Sequence, residues 1–409
     1  MGRIAGRFTR VEPRKRAERL VLGLLSDLPR ENCWTIAEWA GEANPHGMQH
    51  LLCRASWDAD AVRDDVREYV VGHLHAQEAV LVVDETGDVK KGTHTVGVQR
   101  QYTGTAGRIE NSQVAVYLVY AGARGHAAVD RELYVPRSWT CDPARCREAG
   151  LGEDIVFATK PELARTMIER FFDAGHHVDW VAGDEVYGGN PKLRSALAER
   201  GLGYVLAVAR SSEVTTKAGK FRADTLAAKI PKRAWQKLSA GTGAKGTRFY
   251  DWAVIDLAEP GPGHRQLLIR RRTGELAYYH CHSTKPVPLT TLVRVAGSRW
   301  RVEETFQTEK GLAGLDEHQL RRYPSWARWV TLAMLAHAFL AVVRADEHTR
   351  PASDDLIPLT CNEIQHLFIT LVIQPLSSVA HRLSWSAWRR RHQARSRTSH
   401  YQRQAATQT

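Results

Sequence analysis

Cysteine is sparse and unpatterned: Cys33, Cys53, Cys141, Cys146, Cys281 and Cys361 form no C-x-x-C pair and no regular framework. A disulfide scaffold is therefore not expected, and scattered buried thiols in a reducing cytosol are the simplest reading. The opening MGRIAGRFTRVEPRKRAERL holds no apolar segment, so no secretion signal is expected either. Long hydrophobic runs are also missing. The longest, LAMLAHAFLAVV from Leu332 to Val343, is too short to cross a bilayer and contains His337, which reads as a buried helix. No internal repeat or extended low-complexity tract occurs, and the glycines of GDEVYGGN do not make a P-loop.

Acidic residues are outnumbered: 45 Asp and Glu face 57 Lys and Arg, giving a net charge of +12 and a pI near 9.5. That surplus favours a polyanionic partner. With no basic amphipathic anchor in view, nucleic acid is expected rather than a membrane surface. Hydrophobic residues make up 43% of the 409 positions, enough for packed cores in two or three units, with disorder confined to the ends.

Helical periodicity runs from Pro13 to about Ala76. Within it TIAEWAGEANPHGMQHLLCRA has the form helix, turn, helix, broken at Asn44, Pro45 and Gly47. A helix-turn-helix that enters a DNA groove and an ordinary helical hairpin both fit this stretch. At Ala79 the texture changes. AVLVVDETG is a short apolar strand expected to end at Asp84, and HTVGVQRQYTG, RIENSQVAVYLVYAG and HAAVDRELYVP continue it as an antiparallel meander. PELARTMIERFFDAGH is an amphipathic helix, VDWVAGDEVYGG a strand ending on Asp184, and NPKLRSALAERGLGYVLAVA a helix followed by a strand. This order predicts a mixed α/β sheet with helices on its faces. The expected organisation is a helical region over 1–78, whose charge suits DNA binding, an α/β core over 79–209 and 289–345, a β-rich insertion over 210–288, and a helical, basic region over 346–409.

Two strand-terminal aspartates in matched contexts, LVVDETG and WVAGDEVYG, invite pairing, because neighbouring strand ends converge on one edge of a sheet. Close carboxylates repel unless a cation lies between them. A hard divalent ion with oxygen ligands resolves the repulsion, and magnesium suits a phosphate substrate. Two such ions roughly 3.5–4 Å apart serve in-line displacement at phosphorus, a chemistry that wants a third carboxylate. Either aspartate alone also fits a turn or a helix N-cap. Glu85 and Glu185 are second choices, since a regular strand turns them to the other face. In YYHCHS, His280, Cys281 and His282 suggest zinc, but alternate residues of one strand rarely complete a site.

Taken together, LVVDETGDVKKGTHTVGVQRQYTGTAGRIENSQVAVYLVYAG, WVAGDEVYGGNPKLRSALAERGLGYVLAV and SRWRVEETFQTEKGLAGLDEHQL resemble bacterial insertion-sequence transposases of the DDE type. The likeness covers most of the chain. It implies a cut-and-paste enzyme with an RNase H-like core, interrupted by a β-rich insertion between the second aspartate and the glutamate. It also implies a catalytic and metal-binding triad of Asp84, Asp184 and a glutamate of RWRVEE, served by two Mg2+ ions with Mn2+ as a substitute. The implied partner is double-stranded DNA, both element ends and target, bound by a homodimer. The wider group's tyrosine, arginine, glutamate, lysine signature is matched at Arg299, Glu303 and Lys310, while the tyrosine position is Ala296.

Helix geometry separates Glu303 from Glu304. At about 100° per residue, Arg299 and Lys310 lie within roughly 40° and 20° of Glu303, whereas Glu304 is turned about 100° away. On this reading Asp84 and Asp184 bridge the ions, Glu303 holds the second, and Arg299 and Lys310 contact DNA phosphates. Lys90, Lys91, Arg100 and Arg108 are further candidate backbone contacts, as are Arg389, Arg390 and Arg391 of the basic tail. A DNA-binding relative that no longer transposes and a hydrolytic RNase H-like nuclease stay open as alternatives.

Overall fold

The computed structural model describes residues 1–243, 246–350, 356–373 and 378–408. Its strands are β1 (Val80–Val89), β2 (Gln99–Thr103), β3 (Arg108–Ala121), β4 (His126–Leu133), β5 (Trp180–Gly183), β6 (Gly203–Val208), β7 (Glu213–Thr216), β8 (Gly219–Arg222), β9 (Gln236–Gly243), β10 (Gly246–Asp256), β11 (His264–Arg272) and β12 (Glu275–Ser283). Apart from the β7–β8 hairpin they form one mixed sheet in the order β2-β3-β1-β5-β6-β12-β11-β10-β9, with β4 also paired to β3. At its centre β1 runs parallel to β5 and β5 to β6, while β1–β3, β3–β4 and β6–β12 are antiparallel. Val80, Leu81, Val82 and Val83 are fully buried, as a central strand covered on both faces requires. A mixed sheet flanked by helices is the expected architecture.

Alternation along β3 identifies what covers each face: the Tyr117 ring meets Phe306 edge-on, and the Tyr120 ring meets Phe171. Phe171 belongs to helix Lys160–Asp173, which opens with a capping box between Thr159 and Glu162. Phe306 belongs to helix Trp300–Ala313, which follows Leu289–Ser298. Behind it lies the 25-residue helix Tyr323–Glu347. By length and composition this helix could cross a membrane, yet 78% of its apolar window is buried in the body, as expected of a core helix.

Two boundaries differ from those expected. Strand β1 does not stop at Asp84 but pairs with the long β3 as far as Val89 opposite Ser112; the strand that stops at this level is its neighbour β5. The β-rich stretch is not a detached unit either, because β9 to β12 extend the central sheet through the β6–β12 pair. Among the described residues, a small cluster around Val214, Leu267, Ile269 and Tyr278 packs apart from the main core.

The N-terminal helices Val11–Leu24, Cys33–Trp39, His46–Cys53 and Ala59–Leu74 likewise have no core of their own: one buried cluster runs from Ile4 through Val83 and Trp329 to Trp385. Ion pairs tie the same parts together: buried Arg131 lies 2.9 Å from exposed Asp60, and buried Asp130 is held by Arg63 at 3.3 Å and Arg170 at 2.9 Å. At the C-terminus, helix Val379–Gln408 is docked through Trp385, whose Nε1 donates to the Glu42 carbonyl at 2.7 Å. The end of LTCNEIQHLFITLVIQPL lies outside the described residues.

Arg328 is the strongest single link between helix Tyr323–Glu347 and the N-terminal helices, donating to the carbonyls of Leu52, Ala55 and Trp57 at 3.1, 2.7 and 3.0 Å. Arg328→Ala is expected to cost about 2–4 kcal/mol, because three carbonyls lose a charged donor. Urea unfolding measures the loss, and limited proteolysis should locate early cleavage near residues 52–57.

Candidate active site

The parallel register Val80↔Trp180 to Val83↔Gly183 makes an aspartate the next residue on both strands. Asp84 and Asp184 therefore meet at the carboxyl end of β5, where open sheets gather their ligands. Asp184 is also a helix N-cap, its carboxylate accepting from the Val186 N–H at 2.9 Å before the short helix Glu185–Gly188. Gly188 is obligatory for that turn, since a Cβ there would run into the backbone carbonyl of Ala207 on β6.

The pair is electrostatically strained. Burial, then the charge of Asp184, pushes Asp84 up to about 8, and Arg299 opposes the shift only in part. Asp184 is raised by burial and then by Glu85. Glu85 does point to the other face: it accepts from Lys160 Nζ and from the Tyr187 hydroxyl, each at 2.6 Å. Glu185 is exposed. Lys160 and Tyr187 were not singled out from the sequence. For Tyr187 the adjoining GDEVYGG was the available signal, whereas nothing local marks Lys160.

The third acid arrives on helix Trp300–Ala313. Arg299, at the junction of this helix with the preceding one, spans the gap: its guanidinium lies 3.5 Å from Asp84 and 3.0 Å from Glu303. Glu304 faces elsewhere, towards Arg301 at 3.4 Å and His126 at 3.5 Å, in line with its helical phase. Lys310 is beside the site, and donates to Thr105 Oγ1 at 3.3 Å with Asp88 at 3.7 Å and Asp316 at 3.9 Å.

Lys90 is a correction to the expected DNA contacts. It is only 5% exposed, donates to the His318 carbonyl at 2.8 Å, and is closed off from an external phosphate. Lys91, Arg100 and Arg108 are exposed, Arg108 pairing with Glu110 at 2.9 Å. Arg390 and Arg391 are exposed on the C-terminal helix, and Arg389 pairs with Glu38. Ala296 is buried. His280 bonds Glu259 at 2.9 Å and His282 the Leu202 carbonyl at 3.1 Å, so YYHCHS is a buried structural strand.

A half-buried aspartate pair at parallel strand ends, with a third carboxylate carried in by a later helix, is a hard-oxygen donor set of the kind used for metal-assisted phosphoryl transfer. The chain belongs to the DDE superfamily endonucleases: the family so described matches residues 3–237, and one described as a transposase DDE domain matches residues 157–339. Asp84 lies in the first span, Glu303 in the second and Asp184 in both. The chain is similar to a probable transposase for insertion sequence element IS701 from Microchaete diplosiphon, 33% identical over 192 residues, 46% of this chain and 47% of that protein. The match thus spans about half the length of that relative. Among solved structures, a piggyBac transposase synaptic complex with hairpin DNA aligns over 92% of this chain and 76% of its own, with 9% identity and a TM-score of 0.48. The NurA nuclease from Sulfolobus solfataricus aligns over 58% and 81%, with 8% identity and a TM-score of 0.27.

DDE-type transposases use divalent metal ions. Among the described residues no three acid, imidazole or thiol side chains are gathered closely enough to enclose one. The donor chemistry nevertheless fits: the two half-buried aspartates lack full charge compensation, and the cation paired with Asp84 is the guanidinium it shares with Glu303.

The raised Asp84 has a consequence for stability. Between its ordinary 3.8 and about 8 the folded chain keeps a proton that an unfolded chain has lost, so this group's contribution falls as pH rises through that window. Asp84→Asn removes the penalty. In EDTA at pH 8 the variant is expected to be more stable than wild type, by on the order of 2 kcal/mol, and the two should converge near pH 4. Melting curves over this range that run parallel would refute it.

Proposed function

We propose that the chain is the DNA transposase of an insertion sequence, acting on the ends of the element and on a target duplex. What supports this most is that Arg299 bridges Asp84 and Glu303, with Asp184 beside Asp84 at the end of the paired strand, in a chain of DDE family sequence. Asp84, Asp184 and Glu303 would hold two magnesium ions, replaceable by manganese, which supply Lewis acidity to the attacking and leaving oxygens of an in-line displacement. In the first step water adds to phosphorus and the bond to the 3′ oxygen breaks, leaving a 3′ hydroxyl and a 5′ phosphate. In the second, that hydroxyl attacks a target phosphodiester and displaces a target 3′ oxygen.

The side chains position these reactants. Arg299 and Lys310 exchange their carboxylate partners for phosphate oxygens, which neutralises charge at the scissile group. Tyr187 and Lys160 keep Glu85 turned away from the reacting face. Joining two ends calls for two copies of the chain on DNA.

Labelled end duplexes incubated with Mg2+ and a target plasmid test the reading. Cleavage followed by joining is expected; cleavage alone would make the protein a hydrolytic nuclease, and binding alone a DNA-binding relative. Asp84→Asn, Asp184→Asn and Glu303→Gln should each lower cleavage by on the order of 1,000-fold, with DNA binding retained. Full activity in any one variant removes that residue from the triad.

A further inference from the structure

A large cleft lies away from the acids. It occupies about 1270 Å³ where residues 316–322, leaving the glutamate helix, pass the N-terminal helical hairpin. One wall is the polar face of helix His46–Cys53: His46, Gln49, His50 and Cys53 line the cleft at i, i+3, i+4 and i+7, while Met48, Leu51 and Leu52 are buried behind them. The helix, turn, helix pattern read from the sequence exists as two short helices, Cys33–Trp39 and His46–Cys53, and the second turns its polar side toward residues 316–322.

Charge distinguishes this cleft. Five arginines line it against three acids, Glu38, Asp316 and Glu317. Two of those acids already have cations, Glu38 facing Arg389 and Asp316 facing Lys310 at 3.9 Å. Nearby Glu31 is pushed up to about 8, by burial first and then by Glu317 and Asp316, so it adds little negative charge at neutral pH. By contrast Arg30, Arg54, Arg321 and Arg322 are exposed, and none has an ion-pair partner among the described residues. The floor is continuous with the acid site, because Asp316 reaches Lys310 and His318 reaches Asp88 at 3.5 Å.

We propose that this cleft is a DNA-backbone site that holds phosphates of the duplex flanking the scissile bond, clamped between the helical hairpin, residues 316–322 and the C-terminal helix. The assignment rests on the transposase reading but goes beyond it, since it places DNA against a wall shared by both ends of the chain. Free guanidinium groups facing a concave polar surface suit a phosphodiester strand and read no base sequence.

Two exposed cysteines provide the test: Cys53 lines the cleft, and Cys141 lies outside it. The full-length protein is treated with iodoacetamide in EDTA, with and without a labelled end duplex, while anisotropy reports binding in the same samples. With duplex at ten times its Kd, alkylation of Cys53 should slow about tenfold and that of Cys141 should not change. Bound duplex without Cys53 protection overturns the cleft and leaves the transposase reading standing, whereas absence of any duplex binding overturns both. As an independent measure, Arg54→Gln combined with Arg321→Gln should reduce the slope of log affinity against log salt by about 1.8, at about 0.9 per phosphate contact. An unchanged slope in a variant that retains its circular dichroism spectrum overturns the cleft even where Cys53 is protected.

Discussion

Parallel pairing of β1 with β5 is the constraint from which the site follows. It sets two carboxylates at the same level of neighbouring strands, each directly after a run of buried apolar residues, Val80 to Val83 on one and Val181 and Ala182 on the other. Such a pair cannot ionise freely, and Asp84 carries the strain. The fold does not relieve it by separation, because both positions are set by backbone hydrogen bonding. It relieves it with a cation, and Arg299 is placed for that at the point where one helix hands over to the next.

Other cations around the site are committed in the same way. Lys160 is bonded to Glu85, and Lys310 faces Asp88 and Asp316. Each pair is partly exposed, so its energy is modest and its partners can be exchanged. A polyanion arriving from outside competes for the cations, and a divalent ion competes for the carboxylates. The two exchanges assist one another, since each frees what the other needs.

A single core has a mechanical consequence. The N-terminal helices, the central sheet and the first half of the C-terminal helix share one buried cluster, and ion pairs of buried Arg63 and Arg131 join them. Surfaces from both ends of the chain therefore keep a set distance from the acids. Whatever occupies the arginine-lined cleft is held in register with Asp84, Asp184 and Glu303 without a hinge between domains.

Much of this was legible along the chain. Apolar runs ending in LVVDETG and WVAGDEVYG predicted neighbouring aspartates, and helical phase separated Glu303 from Glu304, because both signals depend on local periodicity. Periodicity says nothing about pairing partners, so the continuation of β1 to Val89 and the joining of β12 to β6 could not be read. Nor could the burial of Lys90, a lysine in a polar stretch whose ammonium donates to a carbonyl 228 positions away. The sequence by itself determined the carboxylates, the excess of positive charge and the elements that carry them. Tertiary structure alone decided which cations remain free, because a charge is neutralised by whatever folds against it, and that neighbour is seldom near in sequence.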